Sequence, residues 1–132
     1  MALALAVSGC GKYSFSSLAA RKSIREAHDA YKGSRWLEAA RKYEETVAAD
    51  PSLSGAHFFL ANSYDNLYKP TRAGEPENDG YMQKAIEWYK VAAEKEPDPV
   101  YRQRSMQYLV AAYGPEKLNN PAEAEPLPSG IL

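Results

Sequence analysis

Cysteine, histidine and tryptophan are nearly missing from this 132-residue chain, and their scarcity excludes several kinds of protein at once. The one cysteine, Cys10, excludes an intramolecular disulfide. The two histidines, His28 and His57, have no Cys, Asp or Glu at a spacing typical of a zinc site, so no metal is expected. Excess charge of one sign is also lacking. Sixteen basic residues face 17 acidic ones, scattered along the chain to a formal net charge of -1, and the basic stripe of a nucleic-acid-binding protein is not there. No apolar run approaches the roughly 20 residues that a membrane-spanning helix needs. There is no glycine-rich phosphate loop. Glu44 and Glu45 lie on a charged helix face, where solvation is the expected role, not paired acid-base work. Neither an enzyme nor a cofactor is therefore expected. What remains, 45% hydrophobic and 25% charged residues, suits one small globular domain.

The lone cysteine has an informative setting. Met1 to Cys10 carry no charge, the first being Lys12, and the stretch ends in Val7-Ser8-Gly9-Cys10. Small residues before a cysteine, with an apolar segment behind them, resemble a bacterial lipobox, whose cysteine is lipidated and becomes the mature N-terminus. The resemblance implies acyl chains on Cys10, a place in the bacterial cell envelope facing the periplasm, and membrane contact through that anchor only. The pattern departs in one respect: no Lys or Arg precedes Met1-Ala2-Leu3, where a secretory signal usually opens with one. The other reading is a plain apolar arm on a cytoplasmic protein. Residues 1–17 are taken as this segment and its linker.

Internal repetition is the strongest signal in the rest of the chain. Trp36-Leu-Glu-Ala-Ala-Arg-Lys-Tyr-Glu-Glu-Thr-Val-Ala-Ala-Asp-Pro51 and Met82-Gln-Lys-Ala-Ile-Glu-Trp-Tyr-Lys-Val-Ala-Ala-Glu-Lys-Glu-Pro97 share one register. Ala39, Tyr43, Thr46 and Pro51 correspond to Ala85, Tyr89, Ala92 and Pro97, at a constant offset of 46 residues. Steps of four and three put the small residues and the ring on one helical face, and the proline ends the helix. A second helix type alternates with this one: Leu60-Ala61-Asn62-Ser63-Tyr64 and Leu109-Val110-Ala111-Ala112-Tyr113 share a Leu-small-x-x-Tyr pattern, and Ile24, Ala27 and Tyr31 give a similar stripe.

These two patterns resemble the tetratricopeptide repeat, a helical hairpin of about 34 residues. The resemblance covers roughly residues 20–113 and implies an all-α fold of antiparallel helical hairpins stacked as a short right-handed solenoid. The offset of 46 exceeds the family period by about 12 residues, and the surplus falls in Lys69-Pro-Thr-Arg-Ala-Gly-Glu-Pro-Glu-Asn-Asp-Gly80, whose prolines and glycines predict a non-helical loop insert over 69–80. Helices are expected over about 18–32, 36–49, 54–68, 81–95 and 99–113, with Ser34 capping the second and Asp98 the fifth. The repeat domain is thus 18–114, two hairpins and the first helix of a third. Residues 115–132 form an irregular tail in which Pro126 and Pro128 break any partner helix.

Function in such a fold comes from shape. The resemblance implies a concave groove lined by the first helix of each hairpin, here Ile24, His28, Tyr31 and Lys32, then Phe58, Asn62, Asp65 and Asn66. Phe58 stands where family members that grip a terminal carboxylate carry a lysine, so aromatic and amide contacts to a partner peptide or helix are expected instead. Because the third hairpin is unfinished, Leu109, Val110 and Tyr113 are expected to leave an open apolar face available for self-association. The resulting expectation is a non-enzymatic protein-protein interaction scaffold, lipid-anchored in the envelope. The alternative is a targeting module placed before a catalytic or signalling domain of a longer protein.

Overall fold

A computed structural model describes residues 15–114, and Cys10 and the 115–132 tail lie outside the described residues. Those residues form five α-helices: α1 (Phe15–Lys32), α2 (Trp36–Ala49), α3 (Ala56–Leu67), α4 (Pro76–Lys95) and α5 (Pro99–Ala112). Each packs on the next in chain order, and α3 also touches α5. Packing in adjacent pairs leaves every second helix free to share one side of the molecule.

The small residues make this packing close. Ala20, Ala27, Ala30, Ala39, Ala40, Ala61, Ala85, Ala92 and Ala112 are all buried, so helix backbones approach one another and the space between is filled by Tyr43, Tyr89, Leu60 and Met82. Within the stripes read from the sequence, Thr46, Tyr64, Leu109 and Tyr113 are buried as well, while Pro51 and Pro97 sit exposed in the turns that they create. Leu109 and Tyr113 therefore do not form the open apolar face expected of them. Helix α5 turns them inward, leaves Val110 half-buried, and exposes Val100 and Tyr108 instead.

The helix ends show where local signals suffice. Pro51 and Pro97 lack an N–H, and the residues before them, Asp50 and Glu96, leave the helical region as the chain ends α2 and α4. Asp98 caps α5 as expected, its Oδ1 accepting the N–H of Val100 at 2.9 Å. Ser34 does not cap α2. It occupies the left-handed position (φ 57°) of a Schellman turn at the end of α1, in which Arg35 N–H bonds to Ala30 O at 2.9 Å and Ser34 N–H to Tyr31 O at 3.0 Å.

The loop insert is shorter and more ordered than its prolines and glycines suggest. Pro70–Arg72 forms one 3-10 turn, and α4 begins at Pro76, ahead of the expected start at residue 81. Proline is accommodated in the first helical turn because its missing N–H has no partner there, and a Cβ on Gly80 would meet open space. Asn78 pins the insert from α4, donating to Lys69 O at 2.9 Å and accepting from Lys69 N–H at 2.8 Å. Asp79 accepts the N–H of Gly74, which has a φ of 94°.

Candidate functional site: a tyrosine-lined cleft

The matched tyrosines of α2 and α4 each reach a polar side chain on the helix before them. Tyr43 Oη lies 2.5 Å from His28 Nδ1 on α1. Tyr89 Oη accepts from Asn62 Nδ2 at 2.9 Å and donates to Asp65 Oδ2 at 2.8 Å, both on α3. Burial pushes both hydroxyls well above their ordinary titration range, so they stay protonated at any physiological pH. His28 is pushed the other way: burial, then the nearby Lys32, holds its imidazole below the usual range, a neutral ring with Nδ1 able to accept from Tyr43.

From Asn62 the network runs outward. Tyr31 Oη on α1 donates to Asn62 Oδ1 at 2.6 Å, and Asn66 Nδ2 donates to Asn62 O at 2.8 Å and to Asn62 Oδ1 at 3.0 Å. Asn62 thus ties α1, α3 and α4 together. Around it lies a cleft of about 490 Å³, lined by Tyr31, Trp36, Asn62, Asp65, Asn66, Tyr68, Pro70 and Tyr108. Tyr31 stands edge-on to Trp36 with ring centroids 5.1 Å apart, and Tyr108 stacks on Tyr89 at 5.6 Å with planes only 6° from parallel. These rings hold one another in place, which lowers the entropic cost of presenting them to a ligand.

Of the groove residues expected from the sequence, the structure brings Tyr31, Asn62, Asp65 and Asn66 to this cleft. The others go elsewhere. Phe58, 4% exposed, is a core residue stacked on Tyr101 at 5.4 Å, because α5 covers the face of α3 from which it projects. Ile24 is half-buried in the core and His28 is engaged by Tyr43, while Lys32 is exposed but does not line the cleft. Trp36, Tyr68, Pro70 and Tyr108 line it without having been expected there. Pro70 belongs to the insert, Tyr68 and Trp36 to helix ends, and Tyr108 to a helix whose stripe was read through Leu109.

A second polar cluster sits at the start of α3. Gly55, left-handed at φ 86°, offers no side chain to cap the helix, and a Cβ there would come within 3.2 Å of Phe59. Glu96, 1% exposed at the end of α4, supplies the cap: Oε2 accepts from Gly55 N–H at 2.7 Å, and Oε1 from His57 N–H at 2.9 Å and Phe58 N–H at 3.3 Å. Burial pushes this carboxyl up, but the His57 ring 3.7 Å away and the backbone donors outweigh it and hold the group below the usual carboxylate range. His57 is buried, not a surface or groove histidine. Glu44 likewise is not simply solvated, since it is half-buried and accepts from Tyr64 Oη, whereas Glu45 is exposed and pairs with Lys42 at 3.3 Å.

Among the described residues no three His, Cys, Asp or Glu side chains group as metal ligands, and no helix is long and apolar enough to cross a membrane. No protein-family profile, curated protein or solved structure matches the chain.

Proposed function

We propose that the chain is a short tetratricopeptide-type solenoid that works as a non-enzymatic scaffold, lipid-anchored in the bacterial cell envelope through Cys10, and that it holds a partner peptide in the cleft along α1, α3 and α5. One observation carries this reading: apart from Trp36 at the start of α2 and Tyr68 and Pro70 just after α3, the cleft's side chains come from the alternate helices α1, α3 and α5, and in each pair the duplicated tyrosine hydrogen-bonds to a polar side chain on the helix before it, Tyr43 to His28 and Tyr89 to Asn62. A sequence repeat is thereby matched by a repeat of geometry. Rigid aromatic rings at a concave site are also the side chains that carry most binding energy at protein interfaces. The anchor rests on the small residues Val7, Ser8 and Gly9 before Cys10.

Two measurements test the proposal. On an array of extended peptides, the full chain binds a subset, and Trp36→Ala and Tyr108→Ala each weaken that binding by at least about tenfold, the loss of roughly 1.4 kcal/mol. Binding that both variants leave unchanged refutes the cleft. Metabolic labelling with a palmitate analogue marks the chain in a bacterial host and fails with Cys10→Ser; equal labelling of the two removes the anchor.

A further inference from the structure

The overall charge balance conceals one local imbalance. Residues 1–25 hold four basic residues, Lys12, Arg21, Lys22 and Arg25, and no acidic one, whereas 26–132 hold 12 basic and 17 acidic. Three of those four lie in the first half of α1, where two large apolar side chains also face solvent: Phe15 is 93% exposed and Leu18 55%. At about 100° per residue, Phe15, Leu18, Arg21, Lys22 and Arg25 fall within about 120° of one another round the helix, opposite the buried Ser17, Ala20, Ala27 and Ala30. Arg21 and Arg25 form no ion pair among the described residues, and Lys22 makes only an exposed contact with Glu26 at 3.7 Å, which adds little to the stability of the fold. The fold thus spends neither the apolar nor the basic side chains of this face. Glu26, which pairs with Lys42 at 3.0 Å, and the exposed Asp29 mark where it ends.

Apolar groups flanked by cations are what an anionic bilayer surface takes up, the first entering the acyl boundary and the second meeting headgroup phosphates. The face is also in the right place, since Phe15 follows Cys10 by five residues, a covalent reach of at most about 18 Å. We propose that the exposed face of the first half of α1 is a second membrane contact, lying on an anionic lipid surface beside the acylated Cys10. The inference rests on the anchor reading above and adds an orientation to it. Tyr31, at the cleft, stands about 140° round α1 from Leu18, so a chain lying on this face keeps its cleft turned away from the lipid.

The test uses the full chain with Cys10→Ser, which removes acylation, and sedimentation with vesicles of phosphatidylglycerol and phosphatidylcholine or of phosphatidylcholine alone. Binding is expected to be at least about tenfold tighter to the anionic vesicles. One basic residue near such a surface is worth about fivefold in binding, so Arg21→Gln, Lys22→Gln and Arg25→Gln together are expected to weaken it by at least about 30-fold. Phe15→Ser with Leu18→Ser is expected to weaken it by at least about tenfold. All five side chains are outside the core, so the far-ultraviolet circular dichroism and Tm of these variants should match those of the parent. Lys69→Gln, Lys95→Gln and Arg104→Gln make the same charge change at exposed positions elsewhere and should leave binding within about twofold. A chain with Phe15→Trp should shift its emission to the blue on anionic vesicles by more than the native sequence does. Binding that survives both sets of α1 substitutions, or that the control set weakens equally, overturns the proposal. Palmitate-analogue labelling of Cys10 alongside such a result leaves the anchor standing without the face. Vesicle binding lost with the α1 substitutions in a chain that is never labelled supports the face and removes the anchor.

Discussion

Removing the Glu96 carboxylate gives the most direct test of how α3 is held. Glu96→Ala takes away the acceptor of three buried N–H groups, those of Gly55, His57 and Phe58, at a helix start with no cap of its own. A hydrogen bond to a charged group is worth about 1.5–3 kcal/mol, and a negative charge at a helix N-terminus in a partly buried setting up to about 2 kcal/mol. These do not add in full, because they share one carboxylate whose own burial is unfavourable. Deleting one partner nevertheless strands the others, and water entering the vacated space restores only some of their bonds. The net loss is expected to be about 3 kcal/mol, a large part of the roughly 5–15 kcal/mol that stabilises a domain of this kind.

In a thermal melt followed by far-ultraviolet circular dichroism, that loss lowers Tm by at least about 12 °C, at about 4 °C or more per kcal/mol. Glu96→Gln keeps an oxygen for His57 and Phe58 but turns an amide N–H2 toward Gly55, and about half of the loss is expected. The pH dependence supplies a sharper check. The folded carboxyl titrates below its ordinary value of 4.5, so its contribution is complete above that pH and is lost as pH falls through the folded value. The gap between the native chain and Glu96→Ala should therefore narrow below about pH 4.5 and be constant above it. A loss under about 1 kcal/mol, or a gap that widens in acid, refutes the capping role.

Two further substitutions probe the rest of the frame. Ser34→Gly is expected to stabilise the chain by about 0.5–1 kcal/mol, since glycine takes the left-handed position of the Schellman turn without the Cβ clash that serine meets; a denaturant midpoint that falls or stays put contradicts this. Tyr89→Phe keeps the ring but leaves Asn62 and Asp65 without their shared hydroxyl, costing about 2 kcal/mol in chemical denaturation, and a cost below about 0.5 kcal/mol would show that the network does not hold α4 to α3.

Much of the helical frame was legible because its signals are local. The end of α2 and the start of α5 follow from Pro51 and from Asp98-Pro99, residues that act on their own backbone. The buried stripes followed from spacing alone. The errors arise where one residue type supports two geometries. Pro76 and Gly80 read as breakers, yet one sits where a helix needs no N–H and the other where nothing crowds it. Ser34 has the side chain of a cap but takes part in a turn made by backbone bonds. Glu96 was beyond reach for another reason, since it acts on Gly55 at a separation of 41 residues, through a contact that exists only once α3 and α4 lie side by side.

The cleft was partly legible for the same reason. Periodicity places Phe58, Asn62 and Asp65 on neighbouring faces of α3, but it does not say which neighbour covers which face. Helix α5 decides that, burying Phe58 and bringing Tyr108 to the opening. Tyr108 stands one position before Leu109, about 100° round the helix from it, so a stripe read through Leu109 points to the core and passes the cleft by.

The two matched tyrosines show how one repeated sequence serves two ends. Tyr43 meets a neutral imidazole, and its hydroxyl and ring complete the interior of the α1 and α2 pair, packed at 5.4 Å from His28 and 5.9 Å from Phe59. Tyr89 meets an amide and a carboxylate, and the bonds that fix it also fix Asn62, Asp65 and, through Asn62, Tyr31 at the cleft. The same divergence marks the residue before each proline. Asp50 folds back onto Ser52 at 2.6 Å, whereas Glu96, one methylene longer, reaches across to the start of α3. Both tyrosines bond to the helix before them, whereas of the two residues before proline the first satisfies its polar group locally and the second directs it to α3. Helix α3 is consequently held at its N-terminus by Glu96 and along its length by Tyr89, and it carries Asn62, Asp65 and Asn66.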